Sequence, residues 1–322
     1  MVMGLLTQVV ILIATLLFLI KSSDIVIDAT IKIAKMFKIK EFIIGFVLLS
    51  IATSLPELAV SISGVMTGNA GIVVGNLIGS NIADLALILG IVAIFLPIVV
   101  KRDDLHDLSL ILFITSFFPL ILSNAPKASR LIGFVLVISF IFFVYSLIKK
   151  KKTLIPKDHY RISTISKPLN MSHYQTFLLF GMGIVVLLVS AKYVVSSSVF
   201  IAEYFGMAQS LIGATIVAVG TSLPELAVTF SAAKQKKYSL ILGNAIGSAM
   251  TNIGLILGAV LLLGPFTIDM SVFSNLVIFL VLANLLLWYF ISNEKIERWE
   301  GVAFIVFYQI FLIVSFVIGY GG

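Results

Sequence analysis

Long apolar runs separated by short charged patches recur along the whole chain, and they constrain its fold more than any other feature. About 20 apolar residues cross the hydrocarbon core of a bilayer as one helix. In lipid the backbone polar groups must be satisfied within the segment, which selects helices. Ten runs are read from the pattern, at 4–34, 40–66, 70–99, 108–124, 129–148, 174–203, 208–233, 238–264, 270–291 and 299–319. The first and sixth exceed the hydrocarbon thickness and require tilt. Composition agrees, with 60% hydrophobic and 11% charged residues, where a soluble domain carries about 25% charged. The expected fold class is an all-α polytopic membrane protein with ten transmembrane helices. The first run lacks a basic n-region, so it is read as a retained span rather than a cleaved signal.

Lysine and arginine set the orientation. If the polar connection 149–173 is cytoplasmic, 18 of the 22 Lys and Arg fall in connections on that side and 2 in connections outside. Both termini are then expected outside. The same connection divides the chain into a first five-helix half, 1–148, and a second, 174–322. The halves repeat: Pro56, Glu57, Gly75, Asn76 and Ser80 recur 168 residues later as Pro224, Glu225, Gly243, Asn244 and Ser248. The repeated motif regions are 45–90 and 213–258. Five spans are an odd number, so the second half enters the membrane from the opposite side. Such inverted-topology repeats are used for alternating access around a midplane site.

The repeated words are "ATSLPELAV" at 52–60 and "GTSLPELAV" at 220–228, each placing a carboxylate inside an apolar run. Read as helices, they put Thr53, Ser54 and Glu57 on one face, with Ser50 a turn away, and likewise Thr221, Ser222 and Glu225. Proline has no N–H, so Pro56 and Pro224 deprive the carbonyls of Ala52 and Gly220 of a helical partner. In the following runs Ser80 and Asp84 share a face, as do Ser248 and Asn252. All these donors are oxygens, the set that suits a hard cation such as Ca²⁺ and not a soft metal. Three carboxylates exceed what one divalent ion balances, so at least one is expected to be protonated in some states. A single membrane glutamate can be a structural hydrogen-bonder; two at matching repeat positions argue for function. Any one Ser or Thr can equally back-bond to its own helix. Asp24 and Asp28 lack acidic counterparts in the second half and are read as entrance or interface charges.

The segments "ATSLPEL…GNLIGSNIAD" and "GTSLPEL…GNAIGSAMTN" resemble the two alpha repeats of the cation/calcium exchangers, in particular the prokaryotic sodium/calcium exchangers, and the resemblance covers all ten runs. It implies an antiporter that exports Ca²⁺ against entering Na⁺, with spans 1 and 6 sliding across the other eight. It also implies roles. Glu57 and Glu225 are the central acidic ligands. Thr53 and Thr221 flank the calcium site, and the carbonyls of Ser50 and Ala218 resemble the family's backbone ligands. Ser54, Ser222, Ser80 and Ser248 resemble sodium ligands, and Asp84 and Asn252 fill the paired Asn/Asp positions. Two features depart from the usual pattern: Ala52 stands where glycine is common, and the acid lies in the first repeat with the amide in the second. An acid at this position is associated with potassium use in part of the family, so K⁺-dependent exchange stays open beside Na⁺/Ca²⁺ exchange. H⁺/Ca²⁺ exchange is the other alternative, although "GNLIGS" and "GNAIGS" lack the glutamate typical of that branch.

Other classes fit less well. There is no cysteine, and the three histidines fall in polar connections. A channel would not need paired, bent acidic helices. An intramembrane hydrolase would need a nucleophile and base, and neither Ser54 nor Ser222 has a base beyond its motif glutamate. No enzyme activity and no cofactor are expected. The partners are Ca²⁺, Na⁺ and the lipid bilayer of the cell membrane, with no nucleic acid, and the chain is expected to work as a monomer.

Overall fold

The computed structural model describes residues 2–37, 39, 41–66, 68, 70–100, 102–122, 127–152, 172–204, 218–264, 266–267 and 270–320. Among these described residues the regular structure is helical apart from four two-residue strands. Helix α1 is Val2–Met36, and Glu41–Thr53 (α2) and Leu55–Met66 (α3) follow as a pair bent by 43°. Ala70–Ile82 (α4) runs through a π-helical segment, Ala83–Ile88, into Leu89–Phe95 (α5). Strand β1 (Ile98–Val99), helix α6 (Arg102–Leu122), strand β2 (Lys127–Ala128) and helix α7 (Arg130–Lys152) complete the first part. The second part contains α8 (His173–Tyr204), α9 (Ala218–Thr221), α10 (Leu223–Lys234) and α11 (Tyr238–Met250). A π-helical segment, Thr251–Ile256, then leads to α12 (Leu257–Leu263), β3 (Phe266–Thr267), α13 (Met270–Ile291), β4 (Lys295–Ile296) and α14 (Arg298–Tyr320).

Among the described residues, seven helices are long and apolar enough to cross a membrane, and the bent pair α2–α3 makes eight. Within α6 only Leu108–Leu120 is counted as apolar helix, and residues 205–217, at the start of the expected seventh span, lie outside the described residues. Gly213, the first residue of the second motif region, is among them.

Burial separates a centre from a periphery. The membrane-crossing windows in Val73–Phe95 and Tyr238–Leu263 are each 78% buried, whereas those in Gly4–Met36, Arg130–Lys149 and Arg298–Ser315 are 28% buried. The outer helices turn Leu6, Phe18, Phe142 and Val302 outward, the arrangement lipid tolerates. Small residues let the central helices close up. A Cβ on Gly243 would sit 2.4 Å from the Phe42 carbonyl oxygen, and one on Gly247 2.6 Å from that of Phe46. α11 therefore lies backbone to backbone against α2. Helix α1 packs along α8 and also against α10.

The elements recur at one spacing. Ala70–Ile82, Ala83–Ile88, Leu89–Phe95, Arg102–Leu122 and Arg130–Lys152 return, beginning 168 residues later, as Tyr238–Met250, Thr251–Ile256, Leu257–Leu263, Met270–Ile291 and Arg298–Tyr320. The strands cross between halves: β1 pairs antiparallel with β4, Ile98 opposite Ile296, and β2 with β3, Lys127 opposite Thr267.

Two helices extend into segments that the sequence reading assigned to polar connections. α6 starts at Arg102, so the polar turn before Leu108 is helical. The lysines 149–152, assigned to the connection, extend α7. Lysine is a good helix former, and positive charge at a helix C-terminus opposes its dipole. Residues 153–171 lie outside the described residues. At the far end Ser172 caps α8: its N–H donates to Gln175 Oε1 at 2.9 Å, and the Gln175 N–H donates to Ser172 Oγ at 3.3 Å, a reciprocal capping box.

Candidate cation site

Each motif begins with a break rather than a kink in a continuous helix. Ser54 (φ −83°, ψ 12°) and Ser222 (φ −89°, ψ 9°) leave helical geometry. New helices start at Leu55 and Leu223, so Pro56 and Pro224 fall in first turns, where a missing N–H costs nothing. Glu57 and Glu225 lie in the same first turns, at the positive end of the helix dipole, where a carboxylate is favoured. The sequence reading placed the prolines inside one bent helix; the break at the serine is the correction. The N–H groups of Leu58 and Leu226 still bond back across it to the Ser54 and Ser222 carbonyls.

Of the twelve expected site residues, Ser50, Thr53, Ser54, Glu57, Ser80, Asp84, Ser222, Glu225, Ser248 and Asn252 are all at most 5% exposed. Thr221 is half-buried, and Ala218 is placed by its backbone, as the first residue of α9. Hydroxyls from one half meet groups of the other: Ser248 Oγ donates to Asp84 Oδ2 at 2.7 Å and lies 3.0 Å from Ser54 Oγ. Ser80 Oγ reaches Glu57 Oε1 at 3.4 Å. The carboxylates of Glu57, Asp84 and Glu225 lie within electrostatic reach of one another. No Lys or Arg is among the buried described residues, so no basic side chain balances them.

The hydroxyls of Ser50 and Thr53 bond within their own helix and also face the other half, Ser50 Oγ lying 3.3 Å from Thr251 Oγ1 and Thr53 Oγ1 3.5 Å from Asn244 Oδ1. Ser50 Oγ donates to the Phe46 carbonyl, and Thr53 Oγ1 to that of Leu49 at 3.1 Å. The Ser50 carbonyl, expected as a ligand, accepts the Ser54 N–H at 3.0 Å and also lies 3.3 Å from Thr53 Oγ1.

Seven buried side-chain polar atoms among the described residues lack a hydrogen-bond partner in the chain. Six are oxygens of expected site residues: Glu57 Oε2, Asp84 Oδ1, Ser222 Oγ, both Glu225 oxygens and Asn252 Oδ1. Orphaned buried oxygens are costly unless a partner, such as a cation, satisfies them. No three of His, Cys, Asp and Glu form a compact metal cluster among the described residues. A cation here would therefore draw on hydroxyl, amide and backbone oxygens as well as carboxylates.

Sequence reasoning gave Asn76, Asn81 and Asn244 no role at the site. In the structure Asn76 Nδ2 donates to the Glu57 carbonyl at 3.0 Å and to Ser61 Oγ at 3.1 Å, pinning the glutamate's helix to α4. Asn244 approaches Thr229 at 3.5 Å in the equivalent place. Asn81 joins Asn252 to the Ala249 carbonyl. The signal was available: an amide within an apolar membrane run requires an interhelical partner. Of the two alternatives for Asp24, entrance or interface charge, its contacts fit the second: Ser231 Oγ donates to its Oδ1 at 2.5 Å and ties α1 to α10.

Comparison with known proteins agrees with this geometry. The profile of the sodium/calcium exchanger protein family matches residues 7–149 and 175–317. Sodium/calcium exchanger MaX1 of Methanosarcina acetivorans is 34% identical over 96% of this chain and 98% of its own length. Membrane protein MJ0091 of Methanocaldococcus jannaschii is 33% identical over 92% and 93%. The solved structure of the sodium-calcium exchanger NCX_Mj superposes with a TM-score of 0.81 at 31% identity, covering 95% of this chain and 98% of that one. On residues, fold and relatives together, the chain belongs to the sodium/calcium exchanger family.

Proposed function

We propose that this chain is an antiporter that exchanges Na⁺ for Ca²⁺ across the cell membrane by alternating access, through a site lined by Glu57, Glu225, Asp84 and Asn252. Ser54, Ser80, Ser222, Ser248, Thr53, Thr221 and the carbonyls of Ser50 and Ala218 complete it. The observation that carries the reading is the concentration of orphaned buried oxygens at these residues, with no buried basic group among the described residues to balance their charge. Such a site is stable only with hard cations in it or with protons on its carboxylates. Competition of Na⁺ and Ca²⁺ for one such site is the chemistry of exchange.

Ten spans in two inverted halves, 1–148 and 174–322, joined through 149–173, fit the repeat of elements. The strand pairs favour inversion. β1–β4 and β2–β3 exchange under the 168-residue repeat, and with ten spans one pair lies on each side of the membrane. The termini then face outside, the connection is cytoplasmic, and a monomer holds the complete site. Because the chain has no cysteine, Asp158→Cys reports topology directly: labelling by an impermeant maleimide from outside intact cells would refute the cytoplasmic assignment. Light scattering in detergent tests the monomer.

The test of function is ⁴⁵Ca²⁺ uptake into proteoliposomes loaded with Na⁺, with K⁺, or with only a proton gradient imposed. Uptake driven by internal Na⁺ alone and lost in Glu57→Gln is the expected result. A requirement for K⁺ or for the proton gradient would reassign the counter-ion, and no gradient-driven uptake would refute exchange.

A further inference from the structure

Two asparagines and one backbone carbonyl form a line of fixed polarity that ends at the site. Asn81, in α4, is fully buried, and its Nδ2 lies 3.1 Å from the carbonyl oxygen of Ala249. A peptide carbonyl only accepts, so the amide nitrogen of Asn81 must face it. The Asn81 oxygen then faces away, 2.8 Å from Nδ2 of Asn252. An oxygen in that place accepts a donor, so Asn252 must present its nitrogen there. Its own oxygen is left on the opposite side, buried and without a partner in the chain. Each step follows from which atoms donate and which accept, and the sequence of three fixes the amide orientation that a lone asparagine leaves undetermined.

The consequence lies in the sign of the dipole offered to an ion. An Asn252 turned the other way would present two N–H donors to a cation. Turned as it is, it presents a carbonyl oxygen. The π-helical segment bearing Asn252 packs against α3, which carries Glu57. The arrangement belongs to one half alone. The position equivalent to Asn81 in the second half is Ala249, whose side chain cannot bond, so no matching line reaches Asp84. Asp84 is held by Ser248 instead.

We infer that Asn81 is a positioning residue for ion binding, holding the Asn252 side-chain carbonyl toward the cation through the polarity set by the Ala249 carbonyl. This rests on the assignment of Asn252 to the site. Asn81 itself touches no ion.

A double-mutant cycle on the half-saturation concentration for Ca²⁺ tests it, using Na⁺-loaded proteoliposomes and the variants Asn81→Ala, Asn252→Ala and the double. Asn81→Leu, close in size, is the second variant should alanine fail to fold, with thermal unfolding in detergent as the check. Asn81→Ala is expected to raise half-saturation on the order of tenfold, the scale of one hydrogen bond, and to change it more than turnover. Asn252→Ala is expected to raise it at least as much. In the Asn252→Ala background, loss of Asn81 is expected to add nothing further, because its only route to the ion has gone. Additive effects would overturn the inference, since Asn81 would then act through general packing. An unchanged half-saturation in Asn81→Ala and Asn81→Leu would overturn it too. If Asn252→Ala alone leaves half-saturation unchanged, the site assignment fails at Asn252, and that failure is distinct from the others.

Discussion

Ser54 and Ser248, from the two halves of the chain, lie 3.0 Å apart, and their hydrogen bond has a direction. The single hydroxyl proton of Ser248 goes to Asp84 Oδ2 at 2.7 Å, so Ser54 is the donor to Ser248. A proton-ordered line thus runs from the break in the first motif to the acid of the first half through a serine of the second. Removing its middle member leaves Asp84 without its donor and Ser54 without its acceptor. Ser248→Ala is therefore expected to weaken cation binding by more than a simple ligand loss. A hydrogen bond to a charged group contributes about 1.5–3 kcal/mol, so half-saturation in ⁴⁵Ca²⁺ uptake should rise at least about tenfold. Ser222→Ala, whose hydroxyl has no partner in the chain, should affect ion binding without disturbing this line. An equal response of Asp84→Asn in the wild-type and Ser248→Ala backgrounds would refute the coupling.

Glu57→Gln and Glu225→Gln are expected to remove transport while leaving the fold intact. Glutamine keeps the shape and one acceptor oxygen but loses the charge that offsets a cation's desolvation. Each carboxylate is 1% exposed, so solvent cannot substitute. Uptake should fall at least about 100-fold, the scale of losing a buried charge partner. A second readout is independent of flux. Ligands that bind the folded state raise its stability with concentration, so Ca²⁺ should raise the melting temperature of the wild type in detergent, with the shift absent in both variants. A preserved Ca²⁺-dependent shift in Glu225→Gln would remove that residue from the site.

Much of the helical fold is legible in the sequence, because hydropathy and a gapless repeat act at the level of single residues. The limits of α13, Met270–Ile291, agree with the apolar run itself. The pairing of Glu57 with Glu225 follows from the repeat. What escaped was set between helices. Nothing in "SLPEL" says that the helix stops at Ser54 and restarts, because proline is compatible with both a kinked helix and a new first turn. The polarity imposed on Asn252 depends on Ala249 presenting a carbonyl, which no side chain encodes. The local bonds of the Ser50 and Thr53 hydroxyls follow from helix geometry, yet the alternative of facing an ion has the same sequence signature.

The close approach of α11 to α2 gives a stability prediction with an internal control. On Gly247 a new Cβ would meet the Phe46 carbonyl oxygen at 2.6 Å and its Cα at 2.7 Å. Those are backbone atoms that cannot swing aside, so Gly247→Ala must push the helices apart. Overpacking of this kind costs about 1–3 kcal/mol, and the displaced helix carries Ser248. Gly181, in α8, is exposed with no heavy atom within 4 Å of an added Cβ. There alanine gains about 1 kcal/mol of helix propensity over glycine. Thermal unfolding in detergent should thus move down for Gly247→Ala and stay level or rise for Gly181→Ala. The reverse order would contradict the packing.

Lys237 and Glu41 join the start of α2 to the turn before α11, with Nζ 2.9 Å from Oε1 and side chains only 20% and 11% exposed. The pair is buried enough that losing one member leaves the other poorly solvated. Breaking such a pair one side at a time costs more than replacing both sides together, because the penalty is mostly the stranded charge. Glu41→Gln and Lys237→Met are each expected to destabilise the protein by roughly 1–3 kcal/mol, somewhat below the range for fully buried pairs. The double substitution should recover part of that loss. By contrast, Lys295→Met should have little effect on stability, since its partner Glu297 is half exposed and solvent screens surface pairs. Melting temperatures for the four variants decide it. Additive losses at Glu41 and Lys237 would mean that each side chain packs independently and that the pair does not hold α2 against the second half.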